Sequence, residues 1–187
     1  MSAPQQDAPG LLDELPGEVM MWVLIVSELL VFGAGLAAFM AMRLTDPAGF
    51  AEAQAHLHRA GAALNTVVLV TSGLLAALAV RAAEAGREAR KRGLLAAAMA
   101  LGVVFLIVKG VEYADKAGQG IGMETHTFFT FYYLLTGFHA AHVIAGVVLL
   151  ALVAVLRDPR ATETGAAFWH MVDLVWVLLF PVIYLIR

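Results

Sequence analysis

Residues 125–156 read THTFFTFYYLLTGFHAAHVIAGVVLLALVAVL, a run without Asp, Glu, Lys or Arg that is bounded by Glu124 and Arg157. A helix rises about 1.5 Å per residue, so roughly 20 residues cross the ~30 Å of a bilayer's hydrocarbon. This run is long enough to do so. Two histidines, His139 and His142, stand three positions apart inside it. An ionisable side chain at that depth is costly and as a rule faces the protein interior.

The rest of the chain repeats the pattern. Of 187 residues, 61% are hydrophobic and 14% charged, and the mean hydropathy is +0.81. A water-soluble domain of this length has no core able to hide that much apolar surface, so the expected fold class is all-α, a polytopic bundle of five transmembrane helices. The spans are expected near residues 17–42, 62–80, 93–113, 125–156 and 164–186. Asp46-Pro47 ends the first span, and a polar loop with His56, His58 and Arg59 follows. A basic hinge, 81–92, separates the second from the third. The glycine-rich segment 118–122 turns the chain before the fourth, and Asp158-Pro159 stops that span. Pro181 is expected to kink the fifth.

Residues 1–16 carry acids and no Lys or Arg, unlike the positive start of a cleavable signal. They read as a short cytoplasmic tail before a single five-helix membrane domain, 17–187. Cytoplasmic loops collect Lys and Arg. With the N-terminus inside, that side receives Arg81, Arg87, Arg90, Lys91, Arg92, Arg157 and Arg160, and the outer side Arg43, Arg59, Lys116 and Arg187. The expectation is N-terminus in, C-terminus out. The net charge of −3 gives no sign of nucleic-acid binding, and the lack of cysteine removes disulfides and thiolate chemistry. No internal repeat supports an inverted-repeat transporter. Small residues at four-residue spacing mark helix seams, Ser72/Ala76, Ala98/Gly102 and, foremost, Gly137/Ala141/Ala145.

Intramembrane polar residues are the candidate site. Glu28, about ten residues into the first span, is either a proton-exchanging or headgroup-binding acid, or a neutral carboxyl joining two helices. His139 and His142 share a helix face with Thr136. They could ligate a metal or haem, but no Cys or acid accompanies them on their helix, which favours hydrogen bonding between helices. His170 and Asp173, flanked by Trp169 and Trp176, could form a proton relay or satisfy each other. Lys109 and Glu112 should form an ion pair at the outer end of the third span, with Lys109 reaching toward the interface. Asn65 and Thr66 cap the second span or bond a neighbour, His126 marks the start of the fourth, and no hydrolase, zinc-protease, phosphate-loop or haem-attachment motif is present.

Several stretches together resemble subunit III of the haem–copper cytochrome c oxidases in its short five-span form. These are Trp22 through Phe32 with Glu28, Leu64-Asn65-Thr66 with Thr71-Ser72-Gly73, and Gly102 through Tyr113 with Glu112. They continue with His126 to Phe129, Thr136-Gly137-Phe138-His139 with His142, and Trp169-His170-Met171-Val172-Asp173-Leu174-Val175-Trp176 with Leu179-Phe180. The two N-terminal helices of the long form are missing, Ala140 stands where glycine is common, and Ala167-Phe168 replace an aromatic pair. The segment Leu15-Pro16-Gly17-Glu18 is similar to NorE-like accessory proteins of nitric oxide reductase systems, which share the fold.

The resemblance implies a non-catalytic subunit in a bacterial cytoplasmic membrane, binding no cofactor of its own beyond structural phospholipids. Haem and copper would reside in a partner, the catalytic core of an oxidase or a nitric oxide reductase. Glu28 would occupy the place of the family's reactive buried acid, and the subunit would support stability, lipid binding and proton uptake. The alternatives are the NorE-like role in denitrification and, from the residues alone, a free-standing proton or small-solute carrier using Glu28, His170 and Asp173.

Overall fold

A computed structural model describes residues 19–186 of the chain, so the expected tail, residues 1–16, lies outside the described residues. The elements are α1 (Val19–Thr45), α2 (Pro47–Ala55), α3 (Arg59–Glu84), α4 (Glu88–Gly118), α5 (Thr127–Val155) and α6 (Pro159–Phe180), the last running into a π-helical turn, Pro181–Leu185. Among the described residues five helices, counting α6 with its π turn as one, are long and apolar enough to cross a membrane. α3 and α4 form the most intimate pair, and α6 packs against α3 and α5 in the middle of the bundle. α1 rests more loosely on α5 and α6.

Local chemistry explains where the helices stop. Asp46 breaks α1 and at once begins α2, its carboxylate accepting the Gly49 N–H at 3.0 Å with Pro47 in the first turn. The expected polar loop is therefore mostly a short helix, with only the segment around His56–His58 left to turn the chain. Asp158 and Pro159 repeat the device at α6, which starts several residues earlier than its apolar pattern indicated. Nor is the basic segment 81–92 a long hinge: helix persists to Glu84 and resumes at Glu88. Gly86 (φ 67°) sits just past the end of α3, where its N–H reaches Ala83 O and the Arg87 N–H reaches Ala82 O. Gly120 (φ 73°) ends α4 in the same way, with bonds to Ala117 and Lys116.

Between helices in lipid, apolar burial gains little from excluding water, so close packing and polar contacts decide the arrangement. One side chain from α6 organises four helices. The Trp169 ring lies in a slot made by Gly102 of α4 and Gly146 of α5. A methyl at Gly102 would meet its Cη2 at 2.7 Å, and one at Gly146 its Cε3 at 2.6 Å. Its Nε1–H donates to Ser72 Oγ of α3 at 3.0 Å, and that hydroxyl donates to Ala98 O of α4 at 2.8 Å. Two turns on, Trp176 Nε1–H donates to Thr66 Oγ1 at 3.0 Å. The seams Ser72/Ala76 and Ala98/Gly102 are buried as expected. Gly137/Ala141/Ala145 is not the packed face of α5: Ala141 and Ala145 are exposed. α5 instead turns Thr136, His139, Val143, Gly146 and Leu150 inward, because keeping its polar side chains out of lipid and admitting Trp169 outweigh close backbone approach.

The loop end is tied by a second device. His126 Nδ1 accepts the Phe128 N–H at 3.1 Å, which leaves the ring proton on Nε2 to donate to Asp46 Oδ2, 3.1 Å away. The Asp46 carboxylate is held below its ordinary value of 3.8 by the Gly49 N–H and by His126. A depressed folded value means that the stabilisation is complete above the unfolded value and is lost as pH falls through the folded one.

Two expectations follow for melting in detergent micelles. Gly102→Ala and Gly146→Ala should each cost about 1–3 kcal/mol through overpacking. Gly33→Ala, whose new methyl meets nothing within 4 Å, should be neutral or stabilising by up to ~1 kcal/mol; equal losses in all three would contradict the slot. Asp46→Asn should melt below the parent at neutral pH, with the gap closing below about pH 4. A gap that persists unchanged to about pH 3 would rule out the carboxylate's part.

Candidate functional site

The intramembrane polar residues gather in three clusters rather than one. In the first, α1 presents Glu28 to α5, with Oε2 3.1 Å from His142 Nε2, at an angle short of a hydrogen bond. Both side chains are partly exposed, at 23% and 15%. His142 Nδ1 lies 2.9 Å from Phe138 O, one turn back, and can only donate there. Nε2 is then the ring's acceptor in the neutral form, and it is the atom turned toward the Glu28 carboxyl. Phe32, one turn after Glu28, stacks its edge on His142 and faces Phe138, with centroids 5.6 and 5.2 Å away. Glu28 and His142 thus meet across two helices, a pairing that no spacing in the chain reveals.

His139 does not join that pair. It is fully buried in an aromatic box, 5.4 Å from the Phe105 ring and 5.3 Å from Trp176, and neither ring nitrogen has a hydrogen-bond partner among the described residues. The interhelical hydrogen bond expected of it is not there. Its contacts are with ring faces, which take a polarised N–H only weakly. Among the described residues no three His, Asp or Glu side chains come together as a metal site.

The second cluster holds His170 and Asp173, which are 3.9 Å apart rather than hydrogen bonded. Asp173 is pressed against the α3 backbone: a methyl at Gly73 would meet its Oδ2 at 2.2 Å. His170 is exposed and faces a cavity of about 380 Å³ between α1 and α6, walled by Trp22, Ile25, Leu29, Met171 and Leu174. The Glu28–His142 pair and the His170–Asp173 pair are therefore separate clusters.

The third cluster differs most from expectation. Lys109 does not reach for the interface. It is buried, its Nζ donating to Glu112 Oε2 at 2.8 Å, Tyr184 OH at 2.9 Å and Tyr132 OH at 3.1 Å. The Tyr132 and Tyr113 rings face it at 4.7 and 4.9 Å. Tyr184 OH in turn donates to Glu112 at 3.1 Å. The ion pair is present as read, but Glu112 and a cage of tyrosines from α4, α5 and the π turn supply the acceptors and rings that a lysine would otherwise seek at the headgroups. Nearby, Tyr113 OH and Thr136 Oγ1 are 2.5 Å apart, and Asn65 Nδ2 donates to Phe105 O at 3.3 Å.

Three further partners were invisible along the chain. Carbonyls at the end of the π turn are met by side chains from α1 and α2. Gln54 Nε2 donates to Ile183 O and Ile186 O at 2.8 and 2.9 Å, and Arg43 Nη1 to Ile186 O at 2.5 Å. At the other end, buried Lys91 reaches Glu88 at 2.8 Å and the Leu156 carbonyl, tying α4 to the end of α5. The one hint in sequence was the bunching of tyrosines at 132–133, one helix away from Lys109.

Breaking one half of a buried pair strands the other. Lys109→Met and Glu112→Gln should each lose about 3–5 kcal/mol, while the double variant loses clearly less than the sum. Thermal unfolding of the four proteins measures the coupling, and strict additivity would argue against the caged pair.

Comparison with known proteins matches residues 17–186 to the family model described as cytochrome c oxidase subunit III. The chain is 32% identical over 177 residues to cytochrome c oxidase subunit 3 of Corynebacterium diphtheriae, covering 88% of this chain and 86% of that protein. It is 30% identical to the heme-copper oxidase subunit I+III of Aeropyrum pernix, covering 93% of this chain and 24% of that longer protein. Cytochrome c oxidase subunit 3 of Pylaiella littoralis is 31% identical over 129 residues, 65% of this chain and 46% of the relative.

Proposed function

The chain belongs to the cytochrome c oxidase subunit III family, and from that premise we infer that it is the accessory, non-catalytic membrane subunit of a haem–copper oxidase. The observation that carries this reading is the family match over residues 17–186, which takes in all five helices of the described residues that are long and apolar enough to cross a membrane. Its partner is the catalytic core, which holds the haem and copper. The relatives matched are oxidase subunits, which favours this role over the NorE-like and free-carrier alternatives.

We place the chain in a bacterial cytoplasmic membrane with the N-terminus inside, supported by the Corynebacterium relative and by the basic residues gathered at the α3–α4 and α5–α6 turns. The contact of Glu28 with His142, an acid meeting an imidazole across two helices, is where this subunit would support proton uptake by its partner. The apolar cavity between α1 and α6 suits the tail of a structural phospholipid, with His170 at its wall. Asp173 and His139 then act in packing, holding α6 and α5 against their neighbours.

Tagging this chain, solubilising the membrane in a mild detergent and recording the spectrum of the captured material tests the reading. Haem absorption should accompany the chain, and capture of the chain alone under gentle conditions would overturn it. Glu28→Gln should leave the partner's haem spectrum unchanged and shorten the number of turnovers before inactivation several-fold. A shifted haem spectrum would contradict an accessory role.

A further inference from the structure

At the turn joining α3 to α4, three arginines that are distant from every cluster described above converge on one cavity. Arg81 belongs to the last turn of α3, and Arg87 and Arg90 open α4. The left-handed Gly86 reverses the chain between them, so all three line a cavity of about 250 Å³ whose remaining wall is Leu78, Ala82 and Ala85. Among the described residues no carboxylate pairs with any of the three guanidiniums. The acids of the same turn do not compensate: Glu84 and Glu88 are not part of the lining, and the Glu88 carboxylate is taken by Lys91 at 2.8 Å. Arg87, at the N-cap of α4, leaves that helix start without a side-chain cap, so its positive end adds to the field.

Concentrating unpaired positive charge is repulsive, and it is relieved by an anion that offers several oxygens. Guanidinium forks match phosphate in this respect better than ammonium groups do. The level in the membrane is also telling. The uncharged run of α3 ends at Arg81, and that of α4 begins after Arg92, so the cavity lies where headgroups meet hydrocarbon. Its apolar wall continues along α3 to the outward-facing Leu74, a path for an acyl chain.

We propose that the Arg81/Arg87/Arg90 cavity is a phosphate-binding site at the membrane boundary, its phosphate borne by an anionic phospholipid headgroup or supplied free from solution. The site needs only a chain that spans a membrane, so it stands apart from the accessory role argued above.

Native mass spectrometry of the full-length chain, exchanged into neutral detergent with equal phosphatidylglycerol and phosphatidylcholine, tests it. The parent should retain phosphatidylglycerol about tenfold over phosphatidylcholine, or lose that preference to millimolar inorganic phosphate. Displacement by phosphate assigns the site to the free ion, and persistence assigns it to the lipid. The triple variant Arg81→Gln/Arg87→Gln/Arg90→Gln should bind neither selectively. Arg157→Gln/Arg160→Gln, which removes charge at the same end of the bundle but outside the cavity, should behave as the parent. Circular dichroism melts confirm that both variants are folded. Three results would overturn the proposal. One is equal retention by a folded triple variant, and another is equal loss in the Arg157/Arg160 control. The third is loss of the catalytic partner from the triple variant together with exclusion of lipid from the assembled complex, which would assign the cavity to an acidic protein segment. Haem co-purification with the parent chain reads the accessory role separately.

Discussion

The indole of Trp169 lies between Gly102 and Gly146 and donates its N–H to Ser72, so one side chain of α6 sets how closely α3, α4 and α5 approach. In hydrocarbon a ring gains little by leaving lipid for protein, whereas its N–H is penalised if unpaired. The slot answers both terms at once, giving dense contact on two faces and an acceptor at the edge. Ser72 passes the bond on to the Ala98 carbonyl, so the interaction fastens α3 to α4 as well. Trp176 and Thr66 repeat the arrangement farther along.

Charge is handled by the same rule at the ends of the bundle. Lys109, Lys91 and Lys116 are all buried, although each stands on a helix long enough to bring it toward the membrane surface. Lys109 is held by an acid and a tyrosine cage, Lys91 by Glu88 and a helix-terminal carbonyl, and Lys116 by Asp115 at 3.2 Å. The last helical turn after Pro181 exposes carbonyls, and Arg43 and Gln54 come from α1 and α2 to satisfy them. α2, which carries no membrane span of its own, thereby secures the end of the fifth. The arginines at the α3–α4 turn stand out against this background because no carboxylate of the described residues pairs with them.

Reading along the chain located the spans well and the partners poorly. Uncharged runs mark membrane helices because burying a charge there is so costly, whereas Asp158-Pro159, legible as the stop of the fourth span, is also the cap that starts α6 at Pro159. α4 extends past the expected 93–113 at both ends, to Glu88 and Gly118, because Lys91 and Lys116 are buried with partners rather than left at the surface. Gly137, Ala141 and Ala145 have the spacing of a seam, yet spacing does not say which face of a helix is turned inward. The Lys109–Glu112 pair was legible because both ends lie on one helix, three residues apart. The Glu28–His142 contact joins helices more than a hundred residues apart, and nothing local signals it.

Composition and hydropathy by themselves determined that this chain is a five-helix membrane protein, and its motifs were enough to identify its family. Both follow from terms that act residue by residue, the cost of charge in lipid and the geometry of caps and turns. Only the tertiary structure decided that Glu28 meets His142, that His139 sits among rings without a hydrogen bond, and that Lys109 is caged rather than drawn to the interface. Those outcomes depend on which helix faces meet. That choice is made by the whole bundle at once, through the slot for Trp169 and the cost of leaving polar groups such as Lys109 in contact with lipid.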